Sequence, residues 1–392
     1  VSAARRRRTA VEVDVPVLVS GPQLEGLVRE CLAGLGLSAG DAGAVATVLL
    51  DANLRGIDSH GFQRLPVYMR RVKAGLAGGT EALRETGGFG PLRRLDAGHA
   101  LGPAAAIKAM DLATALAREH GVGLVAVGCS THFGHAGFYA RRAAGQGLIG
   151  IALTNGPKNM APHGASERFL GTCAFAIAAP LGDGEAFCLD MSLSGAARGK
   201  ILRAHAKGEP IEPGLAIDEG GNPTTDAAAA LAGSVLAVGG AKGSGLALAI
   251  DMLAGVLAGA EFAHEMAPMY GPLDRPQNVG HLLVALDPWR LAEPEAALAR
   301  IRQLEARLHG LRPAHGFDRV RFPGEGAAAR ARQRLAEGIP LGEAEIRDAA
   351  LACQECGLPA LAARLSALLP AEAAAVTARA ARGGDVQREE ST

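Results

Sequence analysis

Aromatic side chains are scarce in this chain: ten Phe, three Tyr and one Trp make up 4% of its 392 residues. Charge of one sign is lacking too, because 40 Lys and Arg are matched by 40 Asp and Glu. With neither a basic excess nor many aromatic platforms there is no general attraction to nucleic acid or to an anionic membrane, and a small molecule is the better first partner. No window of the sequence approaches the run of about eighteen uncharged apolar residues that a membrane-spanning helix needs. The amino-terminal stretch holds Arg5 to Arg8, but the "TAVEVDVPVLVS" that follows alternates and carries Glu12 and Asp14, unlike the apolar core of a secretory signal. Residues 1–20 read as a flexible basic tail, and the protein as cytoplasmic.

Clustered metal ligands are missing as well. The six cysteines are scattered, and only Cys353 and Cys356 form a C-x-x-C, with no second pair or His pair nearby to complete a zinc site. Buried free thiols and no metal are the expectation. Nucleotide fingerprints fail on context. Gly121-Val-Gly123-Leu-Val-Ala126 fits G-x-G-x-x-A but follows a helix and lies within an apolar strand, the reverse of a Rossmann turn. Gly239 to Gly245 has the glycines and lysine of a phosphate cradle, yet Lys242 is followed by Gly243 where a Walker loop needs Ser or Thr. It remains a positively charged loop before a helix, suited to anions.

What is present is a helical start, a strand-rich middle and a helical end. Apolar spacing predicts two helices over 22–54, with Ser38 capping the second, another after Pro66, and a strong one over 103–120. "GVGLVAVG" and "LIGIALTN" read as buried strands around the helix "FYARRAAGQG". "AFAIAAP" and "EAFCLDM" follow too closely for crossover helices, so pairing there is antiparallel or mixed. "GSGLALAIDMLAGVLAG" reads as a helix buried on most sides, "HLLVALDP" as a strand, and 293–312 and 327–368 as helical; 369–392 reads as a disordered tail.

Three polar constellations stand out. "RGIDSHGFQR" (55–64) puts Ser59, His60 and Arg64 at the end of a helix. A hydrolase would use Ser59 as nucleophile with His60 as base, but sequence neighbours seldom meet in that geometry and no G-x-S-x-G surrounds the serine. A proton-transfer role for His60 with Ser59 as partner is easier, and Arg64 suits a substrate carboxylate; a plain polar helix end remains the alternative. His132 and His135 follow one strand and precede a helix, where hydrogen bonding to a ligand outranks metal binding. Asp190 closes an apolar strand, either orienting a histidine or capping the helix that carries Arg198.

These blocks, with "MAPHGASERFLGT", "GNPTTD" and "PGE", occur in an order that resembles the non-Rossmann malate/L-lactate dehydrogenase family over residues 22–360; that family also includes sulfolactate and ureidoglycolate dehydrogenases and cyclic imino acid reductases. The resemblance implies an α/β (α+β-like) fold with a mixed, largely antiparallel cofactor-domain sheet and a helical N-/C-terminal domain. Its boundaries are expected at 121–289 for the NAD(P)-binding domain and at 21–120 with 290–368 for substrate binding and dimerisation. It implies NAD or NADP as cofactor, hydride transfer to or from a small 2-hydroxy or 2-oxo acid, and a homodimer with its site near the subunit interface. A cyclic imino acid reductase, an inactive binding member of the fold and a Ser59 hydrolase are the alternatives. Carried over by motif, His60 is the proton donor or acceptor with Ser59 and Asp190 as relay partners, His132 is a second acid/base candidate, and Arg64 grips the carboxylate. Cofactor contacts are implied for His132, Gly134, His135, Thr154, Asn155, Gly156, Thr172, Asp190, Met191, Ser192, Arg198, Gly199, Lys242, Gly243, Gly324 and Glu325. Three departures bear on substrate and cofactor choice: Cys173 and Ala174 replace Asn-Pro, Ala241 and Ser244 flank Lys242-Gly243 without the usual aromatic, and Gly326 stands where an arginine is expected.

Overall fold

A computed structural model describes residues 16–182 and 186–370. In chain order the elements are β1 (Val17–Val19), α1 (Gly21–Ala33), α2 (Ala39–Leu54), α3 (Leu65–Lys73), β2 (Arg84–Phe89), β3 (Leu92–Asp96), α4 (Gly102–His120), β4 (Val122–Ser130), α5 (Ala136–Ala144), β5 (Ile149–Thr154), β6 (Ala174–Pro180) and β7 (Ala186–Ser192). Then come α6 (Arg198–Lys207), β8 (Ala216–Ile217), β9 (Pro223–Thr224), α7 (Ala227–Ala232), β10 (Ser234–Val235), α8 (Ala241–Ile250), β11 (Val279–Leu286), α9 (Pro294–His309), α10 (Glu325–Glu337), β12 (Ile339–Leu341), α11 (Glu343–Glu355) and α12 (Pro359–Ser366).

The central sheet has seven strands in the order β2-β3-β4-β11-β5-β6-β7. Only β3 and β4 pair in parallel; every other neighbouring pair is antiparallel. The short connection from Pro180 to Ala186 forces the β6–β7 pair to be antiparallel, since a parallel pair needs a long crossover. Helices α4 and α5 pack through alanines on one face, around Val125, Tyr139 and Leu283. The small β8–β10 sheet and α6 to α8 cover the other face, around Met160, Leu193 and Ile250. A separate helical core joins α1, α2 and α3 to α11 and α12.

Several expectations change here. Val17–Val19, placed in the flexible tail above, forms a strand antiparallel to Ile339–Leu341, which also interrupts the helical stretch expected over 327–368. Its β-branched residues cover the helical core, with Val19 and Ile339 buried. Ser20 caps α1, residues 1–15 of the expected tail lie outside the described residues, and so do 371–392. β2 and β3 join the seven-stranded sheet through the pairing of β3 with β4, and α4 packs on one face of that sheet. The α8 helix, expected to be buried on most sides, continues as a π-helical segment to Val256 and leaves Leu246, Leu248, Met252, Leu253, Val256 and Leu257 exposed. Among the described residues no helix is long and apolar enough to cross a membrane.

Candidate functional site

The sheet brings the polar constellations to one end. Ser130 at the close of β4 pairs with Val279; His281 pairs with Thr154 at the close of β5; Thr154, Ala174 and Ser192 then align across β5, β6 and β7. The segments leaving this end carry His132, Asn155, Gly156 and Thr172, and Asp190 to Ser192 arrive at it. The Ser59–Arg64 segment approaches from the helical body as two consecutive 3₁₀ turns, 58–60 and 62–64.

Asp58 anchors that segment: Arg334 of α10 donates to both of its oxygens, at 2.6 and 3.1 Å, and Asn53 Nδ2 donates to Oδ1 at 2.9 Å. Asn53 Oδ1 in turn accepts the Phe62 N–H at 2.7 Å. A Cβ on Gly61 would fall 2.2 Å from that same amide oxygen, so glycine follows the histidine because Asn53 occupies the space. The polar helix end and the site are therefore one structure.

Ser59 Oγ lies 2.9 Å from His60 Nδ1, so the neighbours do meet, contrary to the expectation above; the tight turn brings them together. His60 stacks on His132 with ring centroids 5.5 Å apart. Nδ1 of His132 accepts from the Gly134 N–H at 3.3 Å and lies 2.7 Å from the Tyr68 hydroxyl. A backbone N–H can only donate, so this ring carries its proton on Nε2. Gly134 adopts φ +84, and a Cβ there would meet Val48 at 2.7 Å, which makes glycine the residue for this loop. Burial, then the nearby Arg64, pull the His60 pKa down to about 3 and that of His132 well below its ordinary value. Both rings are neutral at pH 7.

Arg64 donates to the Tyr270 hydroxyl and lies over that ring, 5.5 Å from its centroid. Its Nε is buried with no acceptor. An unpartnered buried guanidinium N–H is expensive, and a ligand carboxylate would satisfy it. Tyr68, Tyr270 and His281 were missed in the sequence. A tyrosine four residues beyond Arg64, on the same helix face, is the only signal for Tyr68. His281 is a satisfied core histidine: its nitrogens lie 2.8 Å from Thr154 Oγ1 and Ser130 Oγ, and burial pulls its pKa down to about 3.

Asp190 does not reach His60 by a hydrogen bond, nor does it cap α6, whose cap position is Ala197. Its Oδ2 lies 3.2 Å from His135 Nδ1, while His135 Nε2 lies 2.9 Å from Asp51 Oδ2. Arg55 and Arg141 both pair with Asp51. Burial alone would lower the His135 pKa, but the two carboxylates outweigh it and raise it; burial would raise that of Asp51, yet His135 and Arg141 hold it well below the carboxylate range. A raised folded pKa means that His135 adds stability fully present below its unfolded value of about 6.5 and lost as pH rises through the folded value. Asp51 has the opposite sign: its contribution is present above about 3.9 and lost only as pH falls through its depressed folded value. The melting temperature is thus expected to fall as pH rises from about 6.5 through the raised folded value, and His135→Gln to flatten that slope in thermal melts across pH; parallel profiles for the two proteins contradict a charged bridge.

The remaining sites differ in what they offer a ligand. Thr154 and Asn155 have their side chains occupied inside the protein: Asn155 accepts from the Gly280 N–H and donates to Asp251 and the Glu261 carbonyl. Gly156 has open space beside it, and Ser192 Oγ lies 3.1 Å from Ser194 Oγ. Met191 packs against the core under α8, and Thr172 is half-buried, its carbonyl accepting from the Leu193 N–H. Arg198, Gly199 and Lys242 are exposed at the starts of α6 and α8, and Gly243 is buried beneath Val238. Gly324 lies along the edge of β7, where the Cys188 N–H donates to the Pro323 carbonyl. Glu325 pairs with His309 at 2.5 Å and groups with Glu305 as three possible metal ligands, a cluster the sequence did not suggest. Cys173 is buried against Ala247, so this departure alters the core under α8 and not a ligand surface. A cavity of about 720 Å³, lined in part by His135, Asp190 and Gly324, opens beside β7 and is large enough for much of a dinucleotide.

Residues 19–349 match the family model described as malate/L-lactate dehydrogenase. The chain is 36% identical over 330 residues to the (2R)-3-sulfolactate dehydrogenase (NADP(+)) of Chromohalobacter salexigens, covering 84% of this chain and 96% of that one. It resembles the sulfolactate dehydrogenase structure from Methanocaldococcus jannaschii with a TM-score of 0.82 and 35% identity, covering 87% of this chain and 98% of the other. The Δ1-piperideine-2-carboxylate reductase of Pseudomonas syringae pvar. tomato superposes with a TM-score of 0.76 and 30% identity, over 86% and 99%. The chain belongs to the malate/L-lactate dehydrogenase family.

Proposed function

We propose that the protein is an NAD(P)-dependent oxidoreductase that interconverts a small 2-hydroxy acid and its 2-oxo acid. The observation that carries this is the stacked His60–His132 pair beside Arg64, whose Nε is buried and without an acceptor. The bound nicotinamide supplies or takes the hydride at the substrate's 2-carbon. Arg64 grips the carboxylate, and His132 passes its Nε2 proton to the developing alkoxide while the Tyr68 hydroxyl passes its own to Nδ1, so that the ring stays neutral and solvent returns the proton to Tyr68; the Gly134 N–H sets the resting tautomer. His60 closes the other side of His132, and Ser59 holds His60. Asp190, His135 and Asp51 fix the end of β7 beside them. Ser59 as a hydrolytic nucleophile is disfavoured, because Asp190 pairs with His135 and leaves Ser59-His60 without the third member of a triad.

A second reading, reduction of a cyclic imino acid, is favoured by the likeness to the piperideine carboxylate reductase. An imine nitrogen would take the proton at the same place, and the same arginine would hold the carboxylate. Following NADH and NADPH oxidation with pyruvate, oxaloacetate, sulfopyruvate, oxalurate and cyclic imines tests both. Turnover of a 2-oxo acid supports the first reading, turnover of imines alone the second, and no turnover with no cofactor binding overturns both.

We assign cofactor binding to the sheet body and carboxylate binding to the helical one. The exposed apolar face of α8 and its extension, with Met252 56% and Leu257 64% exposed, supports a homodimer, since a contiguous patch of this kind marks an association surface. Light scattering is expected to give the mass of two chains for the wild type and one for Leu253→Glu/Leu257→Glu; a wild-type monomer overturns the assignment. The six free cysteines, with Cys31 and Cys353 unbridged at 3.5 Å, favour a reducing cytoplasm.

A further inference from the structure

The helical body is assembled from the two ends of the described chain, α1 to α3 from one and α11 and α12 from the other. Cys31 of α1 and Cys353 of α11 meet where these halves join, both fully buried, with their sulfurs 3.5 Å apart although they stand 322 positions apart in sequence. All six cysteines are free, and among the described residues these are the two whose sulfurs touch. The hydrogen bond from Cys31 lowers the Cys353 pKa, while the same contact, and after it burial, raises that of Cys31. Cys353 is therefore the readier thiolate and Cys31 the partner that keeps its proton. Helix α12, of eight residues, packs on both α1 and α11, and its Arg364 pairs with Glu30 beside Cys31. Local opening of so short a helix at the end of the body takes less free energy than unfolding the core and admits a small oxidant.

We propose that Cys31 and Cys353 form an oxidative modification site, at which hydrogen peroxide closes the pair into a disulfide that locks the two halves of the helical body together. The Cys353 thiolate attacks one peroxide oxygen; the O–O bond breaks, a sulfenic acid forms, and the hydroxide that leaves takes up a proton to become water. The Cys31 sulfur then attacks the Cys353 sulfur, the S–S bond forms, the S–OH bond breaks, and the departing hydroxide carries off the Cys31 proton as a second water. Two thiols have lost two electrons and two protons, and the peroxide has taken them. Sulfurs already in contact have little further to travel, so the surrounding helices keep their places. A link across 322 positions removes far more freedom from the unfolded chain than a short-range one. It also secures α11, whose Asp348 and Glu355 pair with Arg70 of α3, the helix that begins beside Arg64. The C-x-x-C spacing is incidental on this account: the partner of Cys353 lies on another helix, and Cys356 remains a thiol.

Peroxide treatment of the full chain, followed by peptide mass spectrometry without reduction and by thermal melts, tests this without any turnover. Wild type is expected to give a linked pair of peptides containing Cys31 and Cys353 and to melt at least about 5 °C above the reduced protein, with dithiothreitol reversing both changes. Cys31→Ala should give neither the link nor the rise, and Cys356→Ala should behave as wild type. No link in the wild type, a Cys353–Cys356 link in its place, or a linked protein that melts no higher than the reduced one overturns the proposal. Neither cofactor nor substrate enters these measurements, so the dehydrogenase reading stands or falls separately.

Discussion

Replacement of His132 by alanine is expected to lower kcat/KM by about 10²–10⁴-fold, the range for loss of a positioned general acid or base, while NAD(P)H still binds. At about 1.4 kcal/mol per tenfold this is roughly 3–5 kcal/mol of transition-state stabilisation. The size follows from how firmly the ring is held: its Nδ1 accepts from the Gly134 backbone and meets the Tyr68 hydroxyl, so the Nε2 proton has one direction in which to go. Tyr68→Phe keeps the backbone donor and should give a smaller loss than the alanine variant. Steady-state kinetics of the His132→Ala and His60→Ala proteins separate the two rings. A near-wild-type rate for His132→Ala with a collapsed rate for His60→Ala would move the proton to His60.

Arg64→Lys should lower kcat/KM by about 10²–10³-fold, because truncating one partner of a buried, hydrogen-bonded charge pair costs about 2–5 kcal/mol. Lysine keeps the charge but not the planar fork, and it cannot lie over the Tyr270 ring as the guanidinium does. The loss should fall mainly on KM for the carboxylate substrate, with the affinity for NAD(P)H unchanged. An unchanged KM in Arg64→Ala would place the carboxylate elsewhere.

Much of this architecture was legible in the chain. Ser38 caps α2 as its side chain and spacing predict, and the short gap between "AFAIAAP" and "EAFCLDM" favours antiparallel or mixed pairing, which in the fold is antiparallel. The motif residues His60, Arg64 and His132 were found because histidine and arginine at element ends stand out against an apolar background. Their partners were not, for a physical reason. Tyr68 sits on a helix face that reads simply as core, and Asp51 lies in α2 among alanines and leucines, where a lone carboxylate looks like solvent-facing polarity. Only the fold shows that Asp51 meets His135 across more than eighty residues of chain. Asn155 and Thr154 illustrate the converse: a polar pair at a strand end looks like ligand-binding chemistry, yet these side chains tie β5 to β11 and to the π-helical extension of α8. The exposed face of α8 was misread for a related reason, since apolar residues around a helix predict burial without saying against which chain.

The central claim is hydride transfer between a nicotinamide and the 2-carbon of a small carboxylate, with the proton delivered by His132. Its most direct test uses NADPH and NADH carrying deuterium at C4, prepared in each stereochemical form, and proton NMR of the product formed from the best 2-oxo acid of the substrate screen. The account predicts deuterium at C2 of the 2-hydroxy acid from one stereochemical form of the cofactor, at a rate that falls by at least about 10²-fold in His132→Ala. A product without cofactor-derived deuterium at C2, or no product from any 2-oxo acid, would contradict it.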